Sequence, residues 1–103
     1  MADDMLLIAG TFTVDPARRA EFLESRLESI RISREEQGCL QYAMSADAVD
    51  PAVVRLFEMW ASKADLQGHL QRVRAGGTSE AGVPVLQHDL KMFVHAEEEP
   101  FGS

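Results

Sequence analysis

The chain has 103 residues, of which 46% are hydrophobic and 26% are charged, a composition and length that suit one ordinary globular domain. Its 17 acidic residues outnumber its 10 basic residues and leave a net charge of -7. This balance argues against nucleic acid and anionic membranes as partners, because both are bound through clustered Lys and Arg.

The two ends of the chain predict no ordered structure. Residues 1–4 are acidic, unlike the basic start of a signal peptide, and residues 97–103 form a second acidic segment that predicts a disordered tail. We therefore expect one domain over residues 5–96. No apolar run approaches the roughly 20 residues that span a membrane, and the single cysteine, Cys39, requires no oxidising compartment. We expect a cytoplasmic protein.

The first half of the chain predicts a strand, a helix and a second strand. Met5–Val14 carries apolar residues on both parities, which is typical of a strand covered on both sides. Asp15 and Pro16 suit the start of a helix, and Gly38 suits its end. Cys39–Ala46 predicts the second strand. The apolar stripe predicted for the helix consists of Ala20, Leu23, Leu27 and Ile30.

The second half predicts a hairpin, a second helix and a last strand. Asp47–Pro51 is a turn that joins the second strand to a third strand over Val53–Trp60. Ser62–Asp65 is an acidic variant of the capping box that begins a helix. Ala75–Pro84 is a glycine-rich loop, and Val85–Ala96 predicts the last strand. The apolar stripe of the second helix consists of Leu66, Leu70 and Val73.

The predicted order, β-α-β-β-α-β, is that of the ferredoxin-like α+β fold. In this fold both helices pack on one face of a four-stranded antiparallel sheet and leave the other face bare. Because the strands carry apolar residues on both parities, the bare face would expose a large apolar surface on a monomer. The sequence therefore predicts a homodimer formed through the sheet face.

One helix position and one strand face carry the residues of most chemical interest. His69 lies on or beside the buried stripe of the second helix, while Leu56, Glu58 and Trp60 share one parity of the third strand. If that parity faces the helices, Glu58, Trp60 and His69 converge. The functional interpretation is a base, His69, held by Glu58 beside an aromatic wall. The structural interpretation is that Glu58 and His69 satisfy each other at the margin of the core.

Other polar residues carry weaker signals. Tyr42 suits either a pocket or the core, and Cys39 suits a small buried hydrophobe because no basic residue adjoins it. His88 and His95 lie on opposite parities of the last strand and are not spaced as a metal pair. We predict no metal site and find no phosphate-binding or dinucleotide-binding motif.

Two segments resemble the antibiotic biosynthesis monooxygenase (ABM) domain family. Glu36–Tyr42 is similar to the family's E-x-G-C-x-x-Y start of the second strand. Leu56–Ser62, with Ala64, Leu66 and His69, is similar to its E-x-W-x-S-x-x-A-L-x-x-H run. The resemblance extends over nearly the whole chain and implies a dimeric α+β barrel with a pocket between helices and sheet in each subunit.

The resemblance implies several activities. Some members of the family oxygenate quinols or anthrones without a cofactor, and others degrade haem with an Asn on the first strand and a haem-ligating His near the end of the second helix. This chain has no Asn, Thr11 lies near the expected Asn position, and Gln71–Gly77 contains no His. Haem degradation is therefore disfavoured, and the missing Asn also weighs against the interpretation of the protein as a monooxygenase.

We accordingly expect a cofactor-independent monooxygenase that oxidises a quinol, phenol or anthrone-type aromatic with O2. His69 would be the base and Glu58 would orient it. The alternative is a non-catalytic dimeric domain that binds a small aromatic ligand or whose pocket is closed by its own side chains. The residues predicted to contact the substrate are Trp60, Tyr42, Leu56 and Leu66.

Overall fold

The computed structural model describes residues 4–76 and 82–102. Its four strands form one antiparallel sheet in the order β2-β3-β1-β4, with two helices in the ferredoxin-like sequence of elements, so the predicted fold is confirmed. Residues 77–81 of the predicted loop, and residues 1–3 and 103 of the predicted disordered ends, lie outside the described residues. The elements are β1 (Leu6–Thr13), α1 (Arg19–Glu35), β2 (Cys39–Ala46), β3 (Val53–Trp60), α2 (Lys63–Ala75) and β4 (Gln87–Phe93).

The helix ends follow the predicted capping residues. The Asp15 carboxylate accepts a hydrogen bond of 2.9 Å from the Ala17 N–H. A short 3-10 turn, Pro16–Arg18, then leads into α1. Beyond the end of α1, Gly38 has a φ of 79°, a left-handed conformation that costs glycine little. Ser62 caps α2 by accepting a hydrogen bond from a backbone N–H of its first turn.

The buried stripe of α1 is not the predicted one. Ala20 and Leu27 are exposed, whereas Phe22 and Ser33 are buried together with Ile30. The difference follows from Phe22, whose large ring contacts Phe12 of β1 edge to face at a centroid distance of 6.1 Å. Burying this ring stabilises the fold more than burying an alanine, because it removes more apolar surface from water. The helix is therefore rotated relative to the predicted stripe.

The last strand is shorter than predicted at both ends. β4 spans Gln87–Phe93, whereas the alternation of apolar residues had predicted Val85–Ala96. At its C-terminal side His95 has a φ of 56°, which is incompatible with an extended strand. At its N-terminal side the Leu86 N–H still bonds the Thr13 carbonyl at 2.8 Å, so the chain runs along β1 before regular pairing begins.

The two faces of the sheet have different environments. The even-numbered residues of β3 are buried under the helices, and the odd-numbered apolar residues of β1 and β3 are only half-buried on the opposite, open face. Among the described residues, the buried core forms two clusters, one around Phe22 and Val54 and the other around Trp60 and Leu66. The open face carries Leu7, Ala9, Val53, Phe57 and Met59.

The turn between β2 and β3 is held by one arginine of α1. Arg19 Nη1 donates hydrogen bonds of 2.9–3.1 Å to the carbonyl oxygens of Asp47, Asp50 and Val53. The Asp47 carboxylate accepts bonds from the Asp50 N–H and from Arg55, which lower its pKa to about 2. The hairpin that carries Glu58 and Trp60 is thus tied to α1 at its distal end. In the part of the chain described, neither helix has the length and apolar character needed to cross a membrane.

Candidate functional site

The candidate site lies between α2 and the C-terminal end of β3. The His69 ring lies against the Trp60 indole, with 4.9 Å between ring centroids, and against the Tyr42 ring at 5.5 Å. Trp60 is completely buried and His69 is 5% exposed. Tyr42 reaches the same place because β2 pairs with β3 in a register that sets it opposite Glu58. The structure therefore brings His69, Trp60 and Tyr42 into one aromatic cluster.

The carboxylate that bonds His69 is Glu36, not Glu58. His69 Nδ1 lies 2.6 Å from Glu36 Oε1 in a hydrogen bond. The predicted orientation of His69 by Glu58 is therefore wrong, and so is the simpler reading in which Glu58 and His69 satisfy each other. Glu58 instead accepts a hydrogen bond of 2.9 Å from Trp60 Nε1 within its own strand face. The reason is geometric: Glu58 and Trp60 share one parity of β3, so the indole N–H reaches the carboxylate locally.

A second basic side chain completes the polar group around Glu36. Arg72, one helical turn beyond His69 on α2, bonds Glu36 Oε2 through Nε and the Ser33 hydroxyl through Nη2 at 3.1 Å. Ser33 in turn donates to the Ser29 carbonyl at 2.7 Å. These contacts join the end of α1 to one face of α2. We call His69, Glu36, Arg72 and Ser33 the interhelical polar cluster.

The carboxyl groups near His69 have opposite electrostatic environments. Burial raises the pKa of Glu58, although the hydrogen bond from Trp60 offsets part of the rise. Partial burial would also raise the pKa of Glu36, but the hydrogen bonds from Arg72 and His69 outweigh it and hold its pKa below the ordinary value. Arg72 and His69 therefore hold Glu36 in its ionised form at neutral pH.

The two other ionisable groups beside the cluster hold their protons. Burial, reinforced by the nearby Glu58 carboxylate, raises the pKa of Tyr42 to about 12. Burial also raises the pKa of the Cys39 thiol, with Glu36 and Glu58 contributing. Tyr42 is thus a neutral hydrogen-bonding group, and Cys39 is not a reactive thiolate.

The two predicted leucines occupy different positions. Leu66 belongs to the buried cluster that contains Trp60, and Tyr42 packs against that cluster. Leu56 is buried on the same face of β3, but its strand partners are Gly10 and Met44, away from the Tyr42 and Glu58 pair. Leu66 is therefore placed beside the aromatic cluster, and Leu56 lies further along the sheet.

Among the described residues, depressions border the sheet at two places that are not lined by His69, Glu58 or Trp60. The larger, of about 370 Å³, lies at the outer edge of β2 and includes Tyr42, Cys39 and Arg34. The smaller, of about 240 Å³, lies between Ala9, Ala43 and Phe57 and belongs to the open face of the sheet. Tyr42 thus connects the aromatic cluster to a surface depression. Across residues 4–76 and 82–102, no three His, Cys, Asp or Glu side chains gather as a metal site would require.

Sequence reasoning missed Glu36 and Arg72. Glu36 lies 33 residues before His69, and their contact depends on how the two helices pack. The one available signal was the first position of the E-x-G-C segment, which Glu36 occupies, but a motif position does not say which side chain it meets. Arg72 lies in the last turn of α2, where the sequence alone favours a solvated charge, but in the structure it is partly buried against Glu36.

The fold and the site define an α+β domain with a histidine held between two helices and an aromatic sheet face. Its sequence matches the family model for antibiotic biosynthesis monooxygenase over residues 5–78. The chain therefore belongs to the antibiotic biosynthesis monooxygenase family.

The chain is also similar to a curated relative and to solved structures. The uncharacterized protein sll1783 of Synechocystis sp. is 34% identical over 70 residues, which is 68% of this chain but only 48% of that protein, so the chain spans about half the length of this relative. Protein PA3566 from Pseudomonas aeruginosa is 27% identical with a TM-score of 0.71, covering 93% of this chain and 98% of its own. A candidate antibiotic biosynthesis monooxygenase from Caulobacter crescentus is 24% identical with a TM-score of 0.68, covering 92% of each chain, and shares the fold.

Proposed function

We propose that the protein is a cofactor-independent monooxygenase that oxidises a quinol, phenol or anthrone-type aromatic with O2. The observation that carries the proposal is the packing of His69 between a carboxylate, Glu36, and the rings of Trp60 and Tyr42. A histidine with such a partner can act as a base, and the flat rings beside it suit an aromatic substrate. Membership of the monooxygenase family supports the class of reaction.

The chemistry needs only a base and surroundings that exclude water from the bound substrate. For an anthrone-type methylene, His69 takes a proton from the ring-activated C–H, and the resulting carbanion gives one electron to O2. The substrate radical and superoxide combine into a peroxide, to which the protonated His69 returns the proton. The hydroperoxide then eliminates water, so that CH2 plus O2 becomes C=O plus H2O. Burial favours this sequence because it keeps bulk water from the carbanion.

The neighbouring residues have distinct proposed roles. Trp60 and Tyr42 would pack along the aromatic ring of the substrate, with Leu66 closing the apolar side and Leu56 extending it along β3. The Tyr42 hydroxyl, which stays protonated to high pH, would donate a hydrogen bond to a developing phenolate or peroxide oxygen. Glu58 would act indirectly, by fixing the indole of Trp60 through its hydrogen bond.

One observation favours a second function. His69 is 5% exposed and Trp60 is fully buried, so the rings of the aromatic cluster pack against one another, and the depression that includes Tyr42 lies beside them at the edge of β2. A domain of this kind with no catalytic role would bind a small aromatic molecule next to Tyr42, or none at all. The monooxygenase proposal requires the helices and sheet to part enough to admit a substrate against His69.

Oxygen uptake distinguishes the two functions. We would measure O2 consumption with a panel of quinols, phenols and anthrones for the wild type, His69→Ala and a control, His88→Ala, which removes an exposed histidine of β4. Loss of a general base lowers rates by about 10²–10⁴-fold, so His69→Ala should lose most of the uptake and His88→Ala should keep it. Equal rates in all three proteins would remove His69 from the mechanism.

Absence of uptake with every compound would favour the second function, and fluorescence then tests binding. The chain has one tryptophan, Trp60, so its emission reports directly on the aromatic cluster. A saturable change of emission with an aromatic compound would support a binding module. An unchanged emission throughout would indicate a closed site.

We propose further that the functional unit is a homodimer formed through the open face of the sheet. This face carries half-buried apolar residues on adjacent strands, and a second copy would cover them. The family resemblance also implies a dimer. We propose a cytoplasmic location and a single domain over residues 5–96.

A further inference from the structure

Glu36 is placed to connect the two helices. It is the residue that caps the end of α1, and its backbone is already extended, with φ -75° and ψ 151°. Its side chain therefore leaves the helix direction and reaches α2, where it is 18% exposed. There its two oxygens have separate partners, His69 on Oε1 and Arg72 on Oε2.

The arrangement of donors decides where the His69 proton lies. An ionised carboxylate can only accept hydrogen bonds, and an arginine can only donate them. Because Arg72 and the ionised Glu36 satisfy each other at Oε2, the bond at Oε1 requires a hydrogen on His69 Nδ1. A neutral imidazole with its proton on Nδ1 has a lone pair on Nε2. The nitrogen that does not face Glu36 is then the one able to accept a proton.

Arg72 is itself held in place. Its Nη2 donates to the Ser33 hydroxyl at 3.1 Å, and that hydroxyl donates to the Ser29 carbonyl. The guanidinium is thus fixed to α1 at the same time as it bonds Glu36. The Glu36 carboxylate is held from both sides, which favours its ionised form against the cost of partial burial.

We propose that Glu36, fixed by Arg72, is the positioning residue of the site, and that it keeps the His69 proton on Nδ1 so that Nε2 serves as the base. The inference rests on the proposed function only for the use of Nε2 as a base. The placement of the proton itself is a property of the protein without substrate.

The isosteric variant Glu36→Gln provides the sharpest test. A glutamine has one acceptor oxygen and one NH2 group. Arg72 can only donate and therefore takes the oxygen, which turns the NH2 toward His69 Nδ1. Nδ1 must then accept, and the His69 proton moves to Nε2. Removing Arg72 as well, in Glu36→Gln/Arg72→Met, frees the amide oxygen to face His69 and returns the proton to Nδ1.

The measurement is the ¹⁵N spectrum of the histidine rings at neutral pH, in protein labelled at the imidazole nitrogens and without substrate. The wild type should show His69 protonated on Nδ1, Glu36→Gln should reverse this, and the double variant should restore it. His88 and His95 are internal references in the same spectra, and Glu35→Gln, at the adjacent exposed position, is the matched control. Circular dichroism checks that each variant is folded.

The nitrogen of His69 that carries the proton in each protein supports or overturns the proposal. A wild-type His69 protonated on Nε2 would overturn the proposal whether or not any variant folds, and so would a Glu36→Gln protein that keeps the proton on Nδ1. A reversal that the double variant does not restore would remove Arg72 from the proposal. If the three spectra are as expected and O2 uptake is absent, the monooxygenase function fails and the positioning role stands. If uptake occurs, Glu36→Gln should lower it by about 10²-fold or more.

Discussion

Glu58 is a carboxyl group that the fold buries beside an indole. It is 6% exposed, and the hydrogen-bonding contact described for its carboxylate comes from a neutral donor, Trp60 Nε1. A buried carboxylate without a hydrogen-bonded cation is costly, because burial penalises its charged form. Its raised pKa expresses this cost. At the scale of single residues, the site therefore contains a group that lowers stability at neutral pH, as functional groups often do.

Replacing Glu58 with glutamine should stabilise the protein at neutral pH. The pKa of Glu58 is raised in the folded state. Its protonated form therefore stabilises the fold fully at pH values below the ordinary glutamate pKa, and this stabilisation is lost as the pH rises through the raised pKa of the folded state. Glutamine keeps an acceptor for Trp60 and carries no charge. Glu58→Gln should therefore raise the free energy of unfolding at pH 7 by on the order of 1 kcal/mol, the scale of one pKa unit.

Denaturant unfolding at pH 7 and pH 4 measures this difference. The advantage of Glu58→Gln should shrink at pH 4, where Glu58 of the wild type is largely protonated. Glu35→Gln, at an exposed position, should change stability little at either pH. A loss of stability at pH 7 would mean that the Glu58 charge is compensated more strongly than its hydrogen bond indicates.

The residues of the site differ in how far sequence could locate them. The positions of Trp60 and His69 between helix and sheet could be predicted, because strand parity and helical spacing depend only on local sequence and apply to any ferredoxin-like packing. Their meeting with Tyr42 followed from the short hairpin. The partner of His69 was not predictable, since Glu36 and Glu58 are both carboxylates near the site and only the packing of α1 against α2 decides between them.

At the scale of elements, β1 depends on the absence of one side chain. Gly10 lies between Leu56 of β3 and Leu90 of β4 in the sheet register. A Cβ at this position would overlap the Asp89 carbonyl oxygen and lie 2.8 Å from the Leu90 Cα, both of which are backbone atoms of β4. The edge strand could accept a larger residue there only by moving away from β1.

Gly10→Ala and Gly68→Ala should therefore change stability in opposite directions. Gly10→Ala should destabilise by about 1–3 kcal/mol, the usual range for overpacking. Gly68 lies inside α2, where an added Cβ meets nothing within 4 Å, so Gly68→Ala should stabilise by about 0.5–1 kcal/mol through helix propensity. Thermal and urea unfolding of both variants checks this, and a Gly10→Ala protein as stable as the wild type would contradict the close approach of β4.

The bounds of an element could be predicted where turn or capping residues end it, but not where its packing against other elements decides them. β2 and β3 have the predicted bounds because Gly38, the acidic turn and Ser62 delimit them chemically. The predicted stripe of α1 was wrong because apolar residues lie on more than one face of this helix, and the contact of Phe22 with Phe12 determines which face is buried. β4 was predicted too long because its apolar residues continue beyond the point where His95 turns the backbone.

At the scale of the whole molecule, the open face of the sheet remains to be accounted for. One face is covered by both helices, whereas Phe57 and Met59 on the other are only half-buried in the single chain. This face also has a depression of about 240 Å³ beside Ala9 and Phe57, which side chains of a partner could fill. A domain of 103 residues buries a modest fraction of its surface, so covering this face would also stabilise it.

A charge placed on the open face should separate the proposed dimer. Phe57→Asp would have to bury an unpaired carboxylate between two apolar sheet faces, which is strongly unfavourable. In sedimentation at micromolar concentration, the wild type should show twice the chain mass of 11.4 kDa and the variant should show the single mass. Val49→Asp, at a fully solvated position of the β2–β3 turn, controls for the added charge. A well-folded wild-type monomer would contradict the proposed dimer, and a Phe57→Asp protein that still sediments as a dimer would place the partner surface elsewhere.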